Sequence, residues 1–175
     1  GHNMAKNNVS RSMLLVCSFV LVTITVPHVF AAEDNWVTKA PMWESREGLG
    51  VAVVDGKIYA IGGYSRNVQN GNKFLGTIEV YDPATNNWSC PKPISGSYTD
   101  SYPTEMPTSR SHFGIAVVDN KIFCIGGWTD SNETGVTEVY DPQTDTWETK
   151  TLMPTPRGDI TANEVDGKIY VVGGL

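Results

Sequence analysis

Arg46-Glu47-Gly48-Leu49-Gly50-Val51-Ala52-Val53-Val54-Asp55-Gly56-Lys57-Ile58-Tyr59-Ala60-Ile61-Gly62-Gly63 can be written, without a gap, above residues 110–127 and again above residues 157–174. Each copy opens on Arg, carries Val-Asp near its middle, continues with Lys-Ile-aromatic and closes on Gly-Gly. A second block follows two of the copies: Glu79-Val80-Tyr81-Asp82-Pro83 with Trp88, and Glu138-Val139-Tyr140-Asp141-Pro142 with Trp147. Self-similarity at intervals in the forties to sixties means a propeller, a solenoid or an array, and it outranks any local assignment.

Local chemistry selects among these. Asp55-Gly56, Asp119-Asn120 and Asp166-Gly167 each separate two apolar runs, the signal of a two-residue hairpin whose central residues take positive φ. The runs over 51–54 and 58–61 do not alternate, so both faces of these strands are expected to be buried. After Gly63 comes a polar loop, then a third strand around residues 78–81. Asp82-Pro83-Ala84-Thr85 is a turn with proline preset at its second position, and a fourth strand around Trp88 completes the unit. Four short antiparallel strands packed between two like units are a propeller blade. The chain therefore reads as all-β, with about two and a half four-stranded blades of an incomplete ring.

The residues resemble the kelch repeat family. The pairs Gly62-Gly63, Gly126-Gly127 and Gly173-Gly174 match its double glycine, and Tyr81 with Trp88 and Tyr140 with Trp147 match its aromatic pair. The resemblance covers residues 36–175. In the third unit Thr161 stands where Gly50 and Gly114 stand in the others, and Asn163 and Glu164 replace Ala and Val. The resemblance implies a face that binds partners or small ligands, often through arginines near positions 46, 110 and 157. It also permits an exported kelch enzyme acting on sugars, of the oxidase or sialic acid mutarotase type, whose catalytic residues would lie outside this chain.

Ahead of the repeats, Lys6 and Arg11 precede an uncharged run over 12–32, with Val29-Phe30-Ala31 placing small residues for cleavage before Ala32. That order reads as a secretory signal peptide over residues 1–31, with an uncleaved membrane anchor as the alternative. Gly1-His2-Asn3 ahead of Met4 reads as a cloning remainder or upstream readthrough. Residues 32–175 are then the partial propeller: blades over about 47–90 and 110–150, and a half blade over 158–175. An outer strand near Trp36 would precede them. Closed propellers have typically about four to eight blades. The chain is therefore expected to be a fragment, with the remaining blades coming from a longer chain or from an oligomer.

The 175 residues carry a formal charge of −6, and removing residues 1–31 takes away two basic residues and no acid. An acidic chain without a basic stripe is a poor nucleic-acid binder. Cys90 and Cys124 fall on different strands of neighbouring units and are expected as two separate half-buried thiols in an oxidising compartment. After residue 31 the chain has one histidine, His112, and no nucleophile–base constellation appears in the sequence, so neither a histidine-based triad nor a zinc site is expected. His112 takes the place of Gly48 and reads as a packed strand-edge residue. No cofactor and no metal are expected. The motif over residues 130–141 echoes a calcium loop, but Glu138 and Asp141 fall on the third strand, where they cannot wrap a cation.

The loops single out the candidate site. Trp36 to Arg46 and Trp147 to Arg157 each span ten positions, whereas Trp88 to Arg110 spans twenty-two, which places twelve extra residues within 95–106. Gly63 to Tyr81 spans eighteen positions against thirteen for Gly127 to Tyr140. Both insertions decorate the same face, where Arg46, Arg110 and Arg157 open the innermost strands. The candidate contacts are those three arginines, which alternatively pair with backbone carbonyls or carboxylates between blades, with Tyr64, Tyr98, Tyr102 and Trp128, loop aromatics suited to a protein or a carbohydrate or else packed onto the scaffold. The glycines, tyrosines and tryptophans of the repeat read as architecture. The function expected is that of an exported, non-enzymatic scaffold for protein or glycan binding.

Overall fold

A computed structural model describes residues 36–67, 71–89 and 105–175. The leader expected over 1–31, Cys90, Tyr98 and Tyr102 lie outside the described residues. Residues 38–175 belong to one unit. Among the described residues there is no helix, and hence none long and apolar enough to cross a membrane.

Among the described residues twelve strands follow one another: β1 (Gly50–Val54), β2 (Lys57–Ile61), β3 (Tyr64–Asn67), β4 (Gly71–Phe74), β5 (Ile78–Asp82), β6 (Asn87–Ser89), β7 (Gly114–Val118), β8 (Lys121–Ile125), β9 (Thr137–Asp141), β10 (Thr146–Lys150), β11 (Ile160–Val165) and β12 (Lys168–Gly173). They form two antiparallel four-stranded sheets, β1-β2-β5-β6 and β7-β8-β9-β10, and two two-stranded ones, β11-β12 and β3-β4. The registers of the first two sheets correspond residue for residue: Gly50 faces Ile61 as Gly114 faces Ile125, and Tyr81 faces Trp88 as Tyr140 faces Trp147. The three hairpin turns have positive φ at both central residues, 49° and 72° at Asp55-Gly56 and 49° and 58° at Asp119-Asn120. That geometry matches the right-handed twist of the flanking strands.

The sheets stack through apolar side chains. Ala52, Val54, Ile61, Ile78, Met106, Phe113, Ile122, Cys124 and Tyr140 form the core between the first two blades. A smaller cluster of Ala116, Ile125 and Ala162, with Phe123, Met153 and Ile169 against it, joins the second blade to β11-β12. The double glycine sits where the next unit crosses. Gly62 and Gly126 take φ near +60°, and a Cβ on Gly126 would lie 2.7 Å from the Arg157 carbonyl. Gly127 N–H donates to that same carbonyl at 2.9 Å, as Gly63 N–H does to Arg110.

Each repeat tyrosine braces its own blade. Tyr81 donates to Asn86 and Tyr140 to Asp145, the positive-φ residues of the β5–β6 and β9–β10 turns, and each ring packs 5.1–5.2 Å from its tryptophan. Burial first, and then the bond to Asp145, push the Tyr140 phenol well above its ordinary value.

Four sequence expectations meet a different outcome. Val51 and Val53 point outward and are more than half exposed, because among the described residues no sheet covers that face of β1. β11 likewise buries Ile160 and Ala162 against the second blade and exposes Thr161 and Asn163. Over the described residues 36–46 there is no strand, where one was expected near Trp36. Instead Ala40 bonds through its backbone to Asn86 and to the Trp88 indole N–H, running beside the sheet without joining it. The loop after Gly63 is the β3-β4 hairpin. Cys124 is a free thiol that is fully buried rather than half-buried, and desolvation pushes it up to about 12.

Candidate functional site

The three arginines that open the units turn inward. Arg46 donates to the Gly62 and Thr77 carbonyls at 3.0 and 3.1 Å and meets Glu79 at 2.5 Å, with the two side chains 1% and 4% exposed. Arg110 repeats the arrangement, donating to the Thr108 and Cys124 carbonyls and to Glu138, with both side chains 2% exposed or less. Glu79 in turn accepts from the backbone of Trp43, and Glu138 from Thr108. An arginine fork is suited to this, since it carries five donors in fixed geometry and keeps its charge when buried. Arg157 reaches the Gly173 carbonyl at 2.6 Å and meets no carboxylate among the described residues.

The same units open a cleft on the face toward which these strands begin. It encloses about 450 Å³ and is lined by Glu47, Tyr64, Phe74, Ser111, His112, Trp128, Thr129 and Asp159. Equivalent positions of three units converge here. Glu47 and Ser111 follow the unit arginines directly, while Gly48, His112 and Asp159 stand one residue further on; Tyr64 and Trp128 each follow a double glycine. Short backbone bridges Glu47–Tyr64 and Ser111–Trp128 hold the two kinds of position together.

Gly48, His112 and Asp159 share one backbone conformation, with φ of 60°, 51° and 52°. Glycine adopts it freely; histidine and aspartate adopt it at a steric cost. Two of the rings in the cleft, His112 and Trp128, rest on a glycine of the adjoining unit. A Cβ on Gly48 would come within 2.5 Å of the His112 ring, and one on Gly158 would run into the Trp128 indole. The Trp128 indole N–H donates to the Asp159 carboxylate at 2.9 Å, and Ser111 Oγ and His112 Nδ1 lie 2.9 Å apart. The hairpin supplies Tyr64 and Phe74, paired across β3-β4 with their rings edge to face at 4.9 Å. Glu47 is paired at 2.7 Å with Arg66 on the outer side.

Of the residues singled out in the sequence, Tyr64 and Trp128 come together in the cleft. Arg46 lines a smaller hollow beside it with Ser45, Glu47, Tyr64 and Arg66. Arg110 and Arg157 do not line the cleft, and Tyr98 and Tyr102 lie outside the described residues. His112 is exposed at the cleft, stacked on Gly48, rather than packed along a strand edge. Sequence reasoning missed Glu47, Phe74 and Asp159. The signals were present: Asn70-Gly71 is a hairpin dipeptide, and Asp159 is a non-glycine residue at the position Gly48 holds in the first unit. Met106, counted within the inserted loop, is instead a core residue 1% exposed. Among the described residues, no group of three or more His, Cys, Asp or Glu stands close enough to hold a metal ion.

Comparison with known proteins agrees with this architecture. A family model described as the KLHDC2/KLHL20/DRC7 Kelch-repeats domain matches residues 21–174. Kelch repeat and BTB domain-containing protein 12 of Homo sapiens is 28% identical over 172 residues, covering 89% of this chain and 26% of that protein. Kelch-like protein 40 of Xenopus laevis is 31% identical over 141 residues, 81% of this chain and 20% of that protein. Beta-scruin of Limulus polyphemus is 30% identical over 146 residues, 81% of this chain and 14% of its own length. The chain thus spans about a quarter or less of these relatives. The solved structure of YjhT superposes with a TM-score of 0.69 at 17% identity, over 82% of this chain and 48% of that one, a likeness of fold. The chain belongs to the kelch-repeat family, as its double glycines, aromatic pairs and blade registers require.

Proposed function

We propose that this chain is a binding module that takes a partner protein into the cleft lined by Glu47, Tyr64, Phe74, His112, Trp128 and Asp159, and that it acts by binding and not by catalysis. One observation carries the reading. Where the units agree, at Arg46–Glu79 and Arg110–Glu138, the side chains are enclosed within the blades; where they differ, the side chains gather in one open cleft. Aromatic rings held by their own scaffold bonds are the residues that anchor protein interfaces. Export, with residues 1–31 as a cleaved leader, remains part of the proposal.

The test is photo-crosslinking from Thr129, in the cleft, and from Thr144, in the β9–β10 turn at the opposite end of its blade. The reading expects adducts to one partner protein from position 129 and none from 144. Adducts only from 144, or turnover of free sugars by the chain, would overturn it.

A further inference from the structure

Of the two carboxylates among the described residues that line the cleft, one is already neutralised: Glu47 is paired with Arg66. Asp159 is different. Among the described residues it forms no ion pair, and one of its oxygens accepts the Trp128 indole N–H. A carboxylate accepts several donors, so capacity remains on a group presented to the cleft. No lysine or arginine is among the described residues lining this space, while Tyr64, Phe74 and Trp128 are. An anionic group beside aromatic faces is the environment that attracts a cation with a flat, weakly hydrated head.

Resting on the reading of the cleft as the partner site, we infer that it seats a basic side chain of the partner, arginine in preference to lysine. Asp159 meets the charge and Trp128, with the Tyr64–Phe74 pair, covers its planes. The overall acidity of the chain draws such a partner in.

The probes are blocked peptides Gly-Arg-Gly, Gly-citrulline-Gly and Gly-Glu-Gly, titrated into the whole chain. Binding is read from the indole N–H resonance of Trp128, assigned with Trp128→Phe. Citrulline keeps the shape of arginine and removes its charge. The inference expects a saturable shift with the arginine peptide and binding weaker by roughly fivefold or more with the citrulline peptide. It also expects a like loss with arginine in Asp159→Asn, since asparagine tolerates the same φ. His112→Gly should leave the denaturation midpoint unchanged or raised, because glycine relieves the strained φ. Equal response to arginine and citrulline, response to the glutamate peptide, or no response to any would each overturn the inference. Crosslinks from Thr129 to a partner segment without basic residues would overturn it too, while leaving the binding proposal in place. Absence of cleft crosslinks removes the proposal itself.

Discussion

Inside the blades, Arg46 meets Glu79 and Arg110 meets Glu138 at the same 2.5 Å; at the rim, two residues after those arginines, stand Gly48 and His112, with Asp159 in the third unit. The interior repeats because every blade has the same task, to hold the start of its innermost strand against the end of the next. The rim varies because identical backbone positions there carry whatever the face requires. In a repeat protein, agreement among units reports the scaffold and departure reports the surface it displays.

That contrast breaks most visibly at the buried ion pair. Glu138→Ala leaves the Arg110 guanidinium enclosed and uncompensated, and is expected to cost about 3–5 kcal/mol in denaturant unfolding. Arg110→Met combined with Glu138→Leu removes both charges and should recover most of that loss. A small effect of Glu138→Ala would mean that the interior is more open than its exposure indicates.

Cys124 gives the next largest effect. Its thiol is raised in the folded state, so its stabilisation is complete below the unfolded thiol's ordinary value near 9 and is lost as pH rises toward about 12. The intact chain should therefore lose about 2–3 kcal/mol more than Cys124→Ala between neutral pH and pH 11. Equal slopes would show that the thiol is not sealed.

At the rim, Gly158→Ala should cost about 1–3 kcal/mol by forcing the Trp128 indole off its seat, with loss of the Trp128 near-ultraviolet signal. The smallest effect lies on the outer surface. The bond from Lys121 is the chief cause holding the Asp141 carboxyl below its usual range. Its contribution is therefore present above the ordinary carboxylate range and is lost as pH falls through the lowered value. Lys121→Met should make acid unfolding slightly shallower and leave neutral stability nearly unchanged, because exposed pairs contribute little.

Most of the fold was legible in the sequence because the repeat aligns without gaps and its turns have a definite chemistry. Asp-Gly and Asp-Asn announce the hairpins, and the double glycine announces the crossing of the next unit. Burial of β1 was not legible: an unbroken apolar run reads the same whether or not a neighbouring sheet covers its outer face. The site was half legible. Tyr64 and Trp128 stood out as aromatics after a double glycine. Asp159 did not, because its significance rests on a bond to an indole thirty-one residues earlier. The arginines drew notice for their position, yet Glu79 and Glu138, which enclose two of them, looked like ordinary strand residues.

The measurement that bears most directly on the division between interior and rim is a paired titration with the arginine peptide. One sample carries Arg110→Met with Glu138→Leu, the other Glu47→Gln with Asp159→Asn. The account predicts that the interior variant binds the peptide as the unaltered chain does. The rim variant should keep its denaturation midpoint and lose about tenfold or more in affinity, the equivalent of about 1.4 kcal/mol. Loss of binding in the interior variant with full binding in the rim variant would contradict it.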